Sequence, residues 1–224
     1  MGGIAGCAAL REGPGASGGV PHARATHIAG YTDDGTSVPV RPGPAVGQRL
    51  AEVHLLDRSG REVTLASLYR LGPIVVVFYR GGWCPDCTGA LKEWEGRSQL
   101  LQAMGVPLVA ITPEKPDLAA QTAEANGLGF EIYSDHRFEA ADRFRLRFSM
   151  DEATREQYRA HGIDLSERNA KPGWDLPAPG TFIVDVNGVV RYAFADWDYT
   201  RRADPDEVIA AAEEVRRMGP TRSR

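Results

Sequence analysis

Hydrophobic and polar residues follow one another along this chain in blocks that predict alternating strands and helices. Two unbroken apolar runs, over residues 74–79 and 106–111, are typical of strands buried on both faces of a central sheet. A helical pattern follows each run, from Pro85 to about Met104 and over residues 116–126. In the first helix the apolar side is predicted to consist of Leu91, Trp94, Leu100 and Leu101. The order of these blocks predicts a βαβ arrangement.

Shorter patterns complete the predicted domain. A turn signal at residues 57–60 separates two apolar stretches, 52–56 and 62–65, and predicts a hairpin. Asn187-Gly188 predicts a second hairpin between residues 181–186 and 189–194. The other expected elements are a strand at 131–134, a helix at about 137–144, a polar helix near 151–160 and a terminal helix at 204–218. Residues 146–180 form an insertion before the last hairpin.

Composition divides the chain into three parts. Residues 1–46 are rich in Gly, Pro, Ala and Ser without sustained periodicity, which predicts a flexible leader with a strand or hairpin pattern at 29–40. Residues 47–218 are expected to form one folded domain. Residues 219–224 are expected to be a disordered tail.

Two of the three cysteines, Cys84 and Cys87, are three residues apart where the first apolar run turns into a helix. On one helical turn, residues i and i+3 share a face, so the two sulfurs can approach bonding distance. Unpaired backbone N–H groups and the positive helix end stabilise a thiolate on the first cysteine. We therefore expect Cys84 to attack and Cys87 to resolve the intermediate as a disulfide. Arg80 should lower the pKa of the attacking thiol and Asp86 should raise it, and the sequence leaves open which dominates.

Two other interpretations of the cysteine pair are disfavoured. A Cys-x-x-Cys pair supplies half of many zinc sites, but zinc needs two more ligands. The third cysteine, Cys7, lies in the Gly-rich leader, away from any cluster of the five histidines. The Gly-Gly-Trp-Cys-Pro junction is also a poor place for cysteines that serve only as apolar packing. We expect a working redox pair and no metal.

Length, charge and composition are typical of a single enzyme domain. The chain has 224 residues, 42% of them hydrophobic, and its net charge of −4 gives no reason to expect nucleic acid or an anionic membrane as a partner. The first residues lack the charged and apolar segments of an export signal, so a cytoplasmic location is expected. There a Cys-x-x-Cys pair is more often catalytic than structural. No Gly-rich phosphate loop follows a strand, so no flavin, nicotinamide or other cofactor is expected.

The order of elements resembles the thioredoxin fold, an α/β three-layer fold with a central mixed sheet, here with an N-terminal hairpin and an insertion before the last β-hairpin. Four segments resemble, more narrowly, the peroxiredoxin-like branch of the alkyl hydroperoxide reductase and thiol-specific antioxidant (AhpC/TSA) family. They are Phe78-Tyr79-Arg80-Gly81-Gly82-Trp83-Cys84-Pro85-Asp86-Cys87, Gly162-Ile163-Asp164-Leu165, Pro179-Gly180-Thr181-Phe182-Ile183-Val184-Asp185 and Asp198-Tyr199-Thr200-Arg201-Arg202. The resemblance covers about residues 45–217 and says nothing about the leader.

The resemblance implies thiol-dependent reduction of a hydroperoxide or of a disulfide, but this chain departs from the better-studied peroxiredoxins. Where those enzymes carry the Pro and Thr of a Pro-x-x-x-Thr-x-x-Cys loop, this chain has Val77 and Gly81. Where they place an Arg ahead of a Gly/Ala-Thr-Phe strand, it has Pro179. Pro179 matches the cis-proline that shapes the substrate groove of thioredoxins. An ordinary loop proline is an equally good interpretation, because cis X-Pro bonds are a minority.

Other polar and aromatic residues receive weaker roles. Trp83 is expected to cover one side of the thiol pair and Tyr79 to lie near it, although aromatic residues at a sheet edge more often serve packing. The polar aromatic cluster at residues 196–201 is expected to be a turn with ion pairs rather than a substrate contact. His136 and His161 are assigned no role.

Three hypotheses about function remain open from the sequence. The first is a hydroperoxide reductase in which Cys84 becomes a sulfenic acid and Cys87 condenses with it. The second is a thioredoxin-like disulfide reductase that uses the same pair. Both need an external reductant, a thioredoxin-type protein or a low-molecular-weight thiol, and both are compatible with a homodimer. The third is a non-redox biosynthetic or partner-binding protein, against which the intact Cys87 argues.

Overall fold

A computed structural model describes residues 29–31, 37–39 and 41–219 of the chain. The strands in these residues are β1 Ala29–Tyr31, β2 Ser37–Pro39, β3 His54–Leu56, β4 Glu62–Thr64, β5 Ile74–Phe78, β6 Leu108–Thr112, β7 Glu131–Ser134, β8 Arg147–Ser149, β9 Asp175–Pro177, β10 Gly180–Val184 and β11 Val190–Ala195. The helices are α1 Leu65–Tyr69, α2 Pro85–Ala103, α3 Pro116–Asn126, α4 Glu139–Arg143, α5 Glu152–Ala160, α6 Leu165–Arg168 and α7 Pro205–Met218. None of these helices is long and apolar enough to cross a membrane.

Seven strands form one mixed sheet in the order β11-β10-β5-β6-β7-β3-β4. Strands β5, β6 and β7 run parallel to one another, and the strands added on either side are antiparallel to their neighbours. Helices α2 and α3 make the crossovers that parallel neighbours require. All five residues of β5 are buried, because elements cover both faces of the sheet. This central strand leads directly into the segment that carries the two cysteines.

Two apolar clusters cover the two faces of the sheet and give the fold its three layers. Helices α2 and α7 bury Leu91, Leu101 and Val208 in one cluster together with the sheet residue Val75. The opposite cluster holds Phe78, Phe144 and Phe182. The ring centroids of Phe144 lie 4.9 Å from those of both Phe78 and Phe182, a distance typical of favourable aromatic pairs.

The insertion forms a small core of its own. Strands β8 and β9 pair as a separate two-stranded sheet, and the Asp151 side chain caps α5 by accepting a hydrogen bond from the Thr154 N–H at 2.8 Å. The buried residues of this small core are Phe148, Met150, Tyr158, Ile163, Leu165, Trp174 and Leu176. Trp83, the residue before the first cysteine, packs against this core. The insertion is therefore attached to the segment that carries the thiols.

The predicted fold class and most of the predicted elements are confirmed, and the differences have physical reasons. The helix expected over 137–144 covers only Glu139–Arg143, since Phe138 adopts a left-handed φ of 62° and sits outside it. Leu100 is 51% exposed because the buried stripe of α2 runs through Leu91, Trp94 and Leu101, and Leu100 lies off that stripe. The sequence prediction lacked the short helices α1 and α6 and the two-stranded sheet β8–β9, whose strands are far apart in sequence.

Residues just ahead of the predicted domain boundary form backbone contacts. The hairpin pattern at residues 29–40 corresponds to the antiparallel pair β1 and β2. Gly43, placed in the leader by composition, donates a backbone hydrogen bond to the Arg145 carbonyl at 3.3 Å. Residues 1–28, 32–36, 40 and 220–224 lie outside the described residues, so the flexible leader and disordered tail stay predictions.

Two neighbouring leucines of α2 test the core assignment. Leu101 is fully buried and Leu100 is half exposed. We expect Leu101→Ala to lower the free energy of unfolding by about 2–5 kcal/mol, because it leaves a cavity. Leu100→Ala should change it by no more than about 0.5 kcal/mol. Urea denaturation followed by circular dichroism measures both, and equal losses would contradict the packing described here.

Candidate active site

The two cysteines lie where β5 ends and α2 begins. Cys84 is the N-cap residue of α2 and Pro85 occupies its first turn, where a missing N–H costs nothing. Gly81 adopts a φ of 153°, and a Cβ at this position would lie 2.2 Å from the Trp83 Nε1 atom. A Cβ on Gly82 would lie 2.1 Å from the Thr122 Oγ1 atom. The two glycines thus allow the chain to turn tightly between the sheet and the helix.

Glu114 holds this turn in place from the next strand along the sheet. One of its carboxylate oxygens accepts a hydrogen bond from the Gly82 N–H at 2.7 Å. The other accepts from Nε and Nη2 of Arg168, at 3.1 and 3.0 Å. Burial raises the pKa of Glu114, and the bonds from Gly82 and Arg168 oppose that effect. The carboxylate thereby links the cysteine segment, β6 and the insertion.

Both thiols are buried and contact each other. Cys84 is 0% exposed and Cys87 is 1% exposed, and each thiol shifts the pKa of the other. Neither forms a disulfide in this structure. The prediction that the two sulfurs share one side of the helix start is confirmed.

Ionisation of the pair is divided unequally between the sulfurs. Burial raises the pKa of Cys87, but the hydrogen bond from Cys84 and the charges of Arg80 and Arg202 outweigh it and lower that pKa to about 6. The hydrogen bond to Cys87 and burial raise the pKa of Cys84 well above its ordinary value, although Arg80 opposes them. The reduced pair therefore holds one negative charge and one proton at neutral pH. This first ionisation belongs to the coupled pair, in which Arg80 contacts the Cys84 sulfur and Arg202 contacts the Cys87 sulfur.

Arg80 is the charged group that contacts Cys84. Its guanidinium is fully buried, and its Nη2 atom donates to the Cys84 Sγ atom at 3.0 Å. Asp86, in contrast, is exposed on the helix surface. The question left open by the sequence is therefore decided in favour of Arg80. A buried guanidinium this close to sulfur favours the thiolate form.

Three aromatic residues enclose the Arg80 guanidinium. The Tyr199 ring centroid lies 3.6 Å from the Arg80 Cζ atom, and the Trp83 centroid lies 5.3 Å from it. The Tyr158 hydroxyl accepts a hydrogen bond from Arg80 Nη1 at 3.1 Å, and burial raises the pKa of Tyr158 to about 12. The Trp83 and Tyr158 rings also meet edge to face, with centroids 5.5 Å apart. The thiols therefore lie beneath an aromatic cover with one cation inside it.

The structure places the other predicted site residues as follows. Trp83 covers the site as expected, and buried Tyr79 lies close enough to Cys87 for the thiolate to help raise its pKa, burial being the main cause. Pro179 precedes β10, and its carbonyl accepts from the Asp196 N–H at 3.4 Å. No peptide bond in the described part of the chain is cis, so the cis-proline interpretation of Pro179 is wrong. Among the described residues no group of three potential metal ligands occurs.

Tertiary structure adds site residues that sequence reasoning missed. Tyr158 comes from the insertion, Glu114 follows β6, and Arg202 lies in the segment before α7. The Arg202 Nη2 atom lies 3.7 Å from the Cys87 Sγ atom. Tyr199 had been assigned to a structural turn. The structure has that turn, with an ion pair between Arg201 and Asp196 at 2.8 Å, and Tyr199 also packs its ring on Arg80. The motif at residues 198–202 was the available signal, since it was recognised without a role.

A buried Cys-x-x-Cys pair at the start of the helix after a central parallel strand defines a thiol-based redox protein of the thioredoxin fold. The chain matches the AhpC/TSA family over residues 46–193 and belongs to that family. A candidate peroxiredoxin from Mycobacterium tuberculosis is 32% identical over 89 residues, which are 40% of this chain and 56% of that protein. A candidate peroxiredoxin from Haemophilus influenzae is 26% identical over 100 residues, 45% of this chain and 64% of its own length.

Solved structures agree in fold. A peroxiredoxin-like protein from Aquifex aeolicus superposes with a TM-score of 0.62 at 18% identity, covering 87% of this chain and 98% of its own. Reduced Prx3 from Vibrio vulnificus, solved in complex with H2O2, superposes with a TM-score of 0.61 at 17% identity, covering 76% of this chain and 99% of its own. Since the sequence matches span little more than half of the curated relatives, activity is argued below from the site itself.

Replacing Arg80 tests its effect on the thiols. We expect Arg80→Met to raise the apparent pKa of the first ionisation above its value of about 6. Alkylation by iodoacetamide at pH 7 should slow about tenfold, because the thiolate is the reacting form. The wild-type rate should fall as the pH drops through about 6. Arg80→Lys, which keeps a positive charge, should retain part of the rate. The role of Arg80 would be contradicted if the folded Met variant titrated like wild type.

Proposed function

We propose that this chain is a thiol peroxidase that reduces hydroperoxides with Cys84 and closes a disulfide with Cys87. The observation that carries the proposal is the buried Arg80 guanidinium, 3.0 Å from the Cys84 Sγ atom beneath an aromatic cover. Better-studied peroxiredoxins bring an arginine to the thiolate from the position that Pro179 occupies here. Arg80, four residues before Cys84, supplies the same chemical group by another route.

The first step is attack on the peroxide oxygen. In the reacting form the single proton of the pair lies on Cys87, and the negative charge lies on Cys84 next to Arg80 and the helix end. The Cys84 thiolate attacks one peroxide oxygen, an S–O bond forms and the O–O bond breaks. The leaving oxygen takes up one proton from solvent and departs as an alcohol or water. Arg80 and the Tyr158 hydroxyl are placed to donate hydrogen bonds to the oxygens during this step.

The second step forms the disulfide. Cys87 attacks the sulfur of the Cys84 sulfenic acid, an S–S bond forms, and water leaves with the proton of Cys87. An external dithiol, a thioredoxin-type protein or low-molecular-weight thiols, then supplies two electrons and two protons to restore the pair. The overall reaction converts one hydroperoxide and two thiols into an alcohol, water and a disulfide.

Burial of the attacking sulfur favours a hydroperoxide over a protein disulfide as the oxidant. A folded protein disulfide must bring its sulfur into line with the attacking thiolate. Cys84 is 0% exposed and lies under Trp83 and Tyr158, so a small peroxide reaches it with far less rearrangement. The trans geometry at Pro179 also removes the feature that had suggested a thioredoxin-like groove.

Cysteine variants test the proposed steps. Reduced protein is mixed with H2O2, an organic hydroperoxide or an exchangeable disulfide, and thiol loss is followed by mass spectrometry. We expect peroxide to consume two thiols rapidly in wild type and in the matched control Cys7→Ser. Cys87→Ser should stop at a sulfenic acid on Cys84 that dimedone traps. Cys84→Ser should lose its rapid reaction with peroxide.

Each other outcome has a defined meaning. If thiols are lost only with the disulfide, the proposed peroxidase function is wrong and the protein is a disulfide reductase. Reaction with peroxide no faster than that of free cysteine would overturn the peroxidase function. A trapped sulfenic acid on Cys87 in the Cys84→Ser protein, formed at the wild-type rate, would reverse the assigned roles.

A further inference from the structure

The segment between β11 and α7 reaches the thiol pair at two points. Tyr199 packs its ring on Arg80, and three residues later Arg202 lies against Cys87. The peroxidase steps proposed above assign Arg202 no role. It belongs nevertheless to a motif that was recognisable in the sequence.

Arg202 is held in place by its own loop. Its Nη1 atom donates hydrogen bonds to the backbone carbonyls of Tyr199 and of Arg201, the latter at 2.9 Å. Its Nη2 atom is thereby placed 3.7 Å from the Cys87 Sγ atom, within range of a hydrogen bond to sulfur. Neighbouring Arg201 instead pairs with Asp196 and is 65% exposed. Two consecutive arginines therefore serve different partners.

Groups of both signs face Cys87. The cations are Arg80 and Arg202, which favour the thiolate, and the Cys84 thiol donates its hydrogen bond to it. Tyr79 and Glu114 lie on the same side of the sheet, and the charge on Cys87 disfavours their ionisation. Arg80 is already hydrogen-bonded to Cys84. Arg80 therefore acts on both sulfurs and contacts Cys84 with its side chain, whereas the side chain of Arg202 contacts Cys87.

We propose that Arg202 is a catalytic residue of the thiol pair, whose guanidinium stabilises the thiolate form of Cys87. It then assists disulfide closure, in which the Cys87 electron pair forms the S–S bond. It also assists reduction, in which an external thiolate bonds to the Cys84 sulfur, the S–S bond breaks and Cys87 leaves with the electron pair. A better stabilised thiolate is the better leaving group. The effects on turnover rest on the proposed function, whereas the charge on Cys87 does not.

Alkylation of Cys87 tests the charge without any peroxide. In a Cys7→Ser, Cys84→Ser background, Cys87 is the single thiol, and its rate with iodoacetamide is measured from pH 5 to pH 9. We expect Arg202→Met to shift the pH midpoint upward and to slow the reaction at pH 7 about tenfold. Arg202→Lys should recover part of the rate. The control Arg201→Met removes an equal charge one residue away and should leave the midpoint unchanged.

Two further measurements separate this role from general damage to the fold. The disulfide should have a more negative reduction potential in Arg202→Met than in wild type, because the reduced form loses its stabilising cation. A tenfold change in the equilibrium constant corresponds to about 30 mV. In a Cys87→Ser background, Arg202→Met should slow sulfenic acid formation on Cys84 far less than Arg80→Met does, because Arg80 is the arginine that contacts Cys84.

The outcomes distinguish the two proposals. An unchanged Cys87 midpoint in both Arg202 variants, or an equal shift in Arg201→Met, would overturn the role of Arg202 whatever the oxidant is. A shifted Cys87 midpoint without any reaction with peroxide would support the role of Arg202 and overturn the proposed peroxidase function. In the Cys87→Ser background, a loss of sulfenic acid formation in Arg202→Met as large as that in Arg80→Met would place the effect of Arg202 on Cys84 and overturn its assignment to Cys87.

Discussion

The structure of the site depends on one buried charge, the guanidinium of Arg80. A charge removed from water is costly unless partners replace the lost hydration. Here the partners are the ionised thiol pair, the Tyr158 hydroxyl and the face of the Tyr199 ring. The cation and the thiolate consequently stabilise each other, and each reduces the free-energy cost of burying the other. Oxidation of the pair to a disulfide would remove the negative partner of Arg80.

The same requirement explains why distant parts of the chain converge on the cysteines. Tyr158 comes from the insertion, and Tyr199 and Arg202 come from the segment before α7. Glu114 connects the Gly82 N–H with Arg168, so the insertion is also tied to the backbone of the cysteine turn. The insertion is therefore part of the site, and its small apolar core positions a hydroxyl group next to a cation. This supplies a physical reason for a segment that looks, in sequence, like an interruption of the fold.

Much of the fold was predictable because local pattern and burial agree. The uninterrupted apolar runs of β5 and β6 reflect strands covered on both faces, and Asn187-Gly188 marks the turn between β10 and β11. Prediction failed where a single backbone angle or a tertiary contact decides the outcome. The left-handed φ at Phe138 shortens α4, and the β8–β9 pair joins segments almost thirty residues apart. Neither the backbone angle nor the strand pairing produces a periodic pattern of hydrophobic residues in the sequence.

The sequence by itself determined that Cys84 and Cys87 lie at the start of a helix after a central strand, and from this it predicted a redox pair. Their spacing and the flanking Trp83 and Pro85 are local features, which can be recognised from the sequence alone. Only the tertiary structure decided that Arg80 rather than Asp86 contacts the sulfur, that Pro179 is trans, and that Arg202 faces Cys87. The physical reason is that ionisation depends on burial and on charges within a few ångströms in space. Here those charges come from positions up to 115 residues away along the chain.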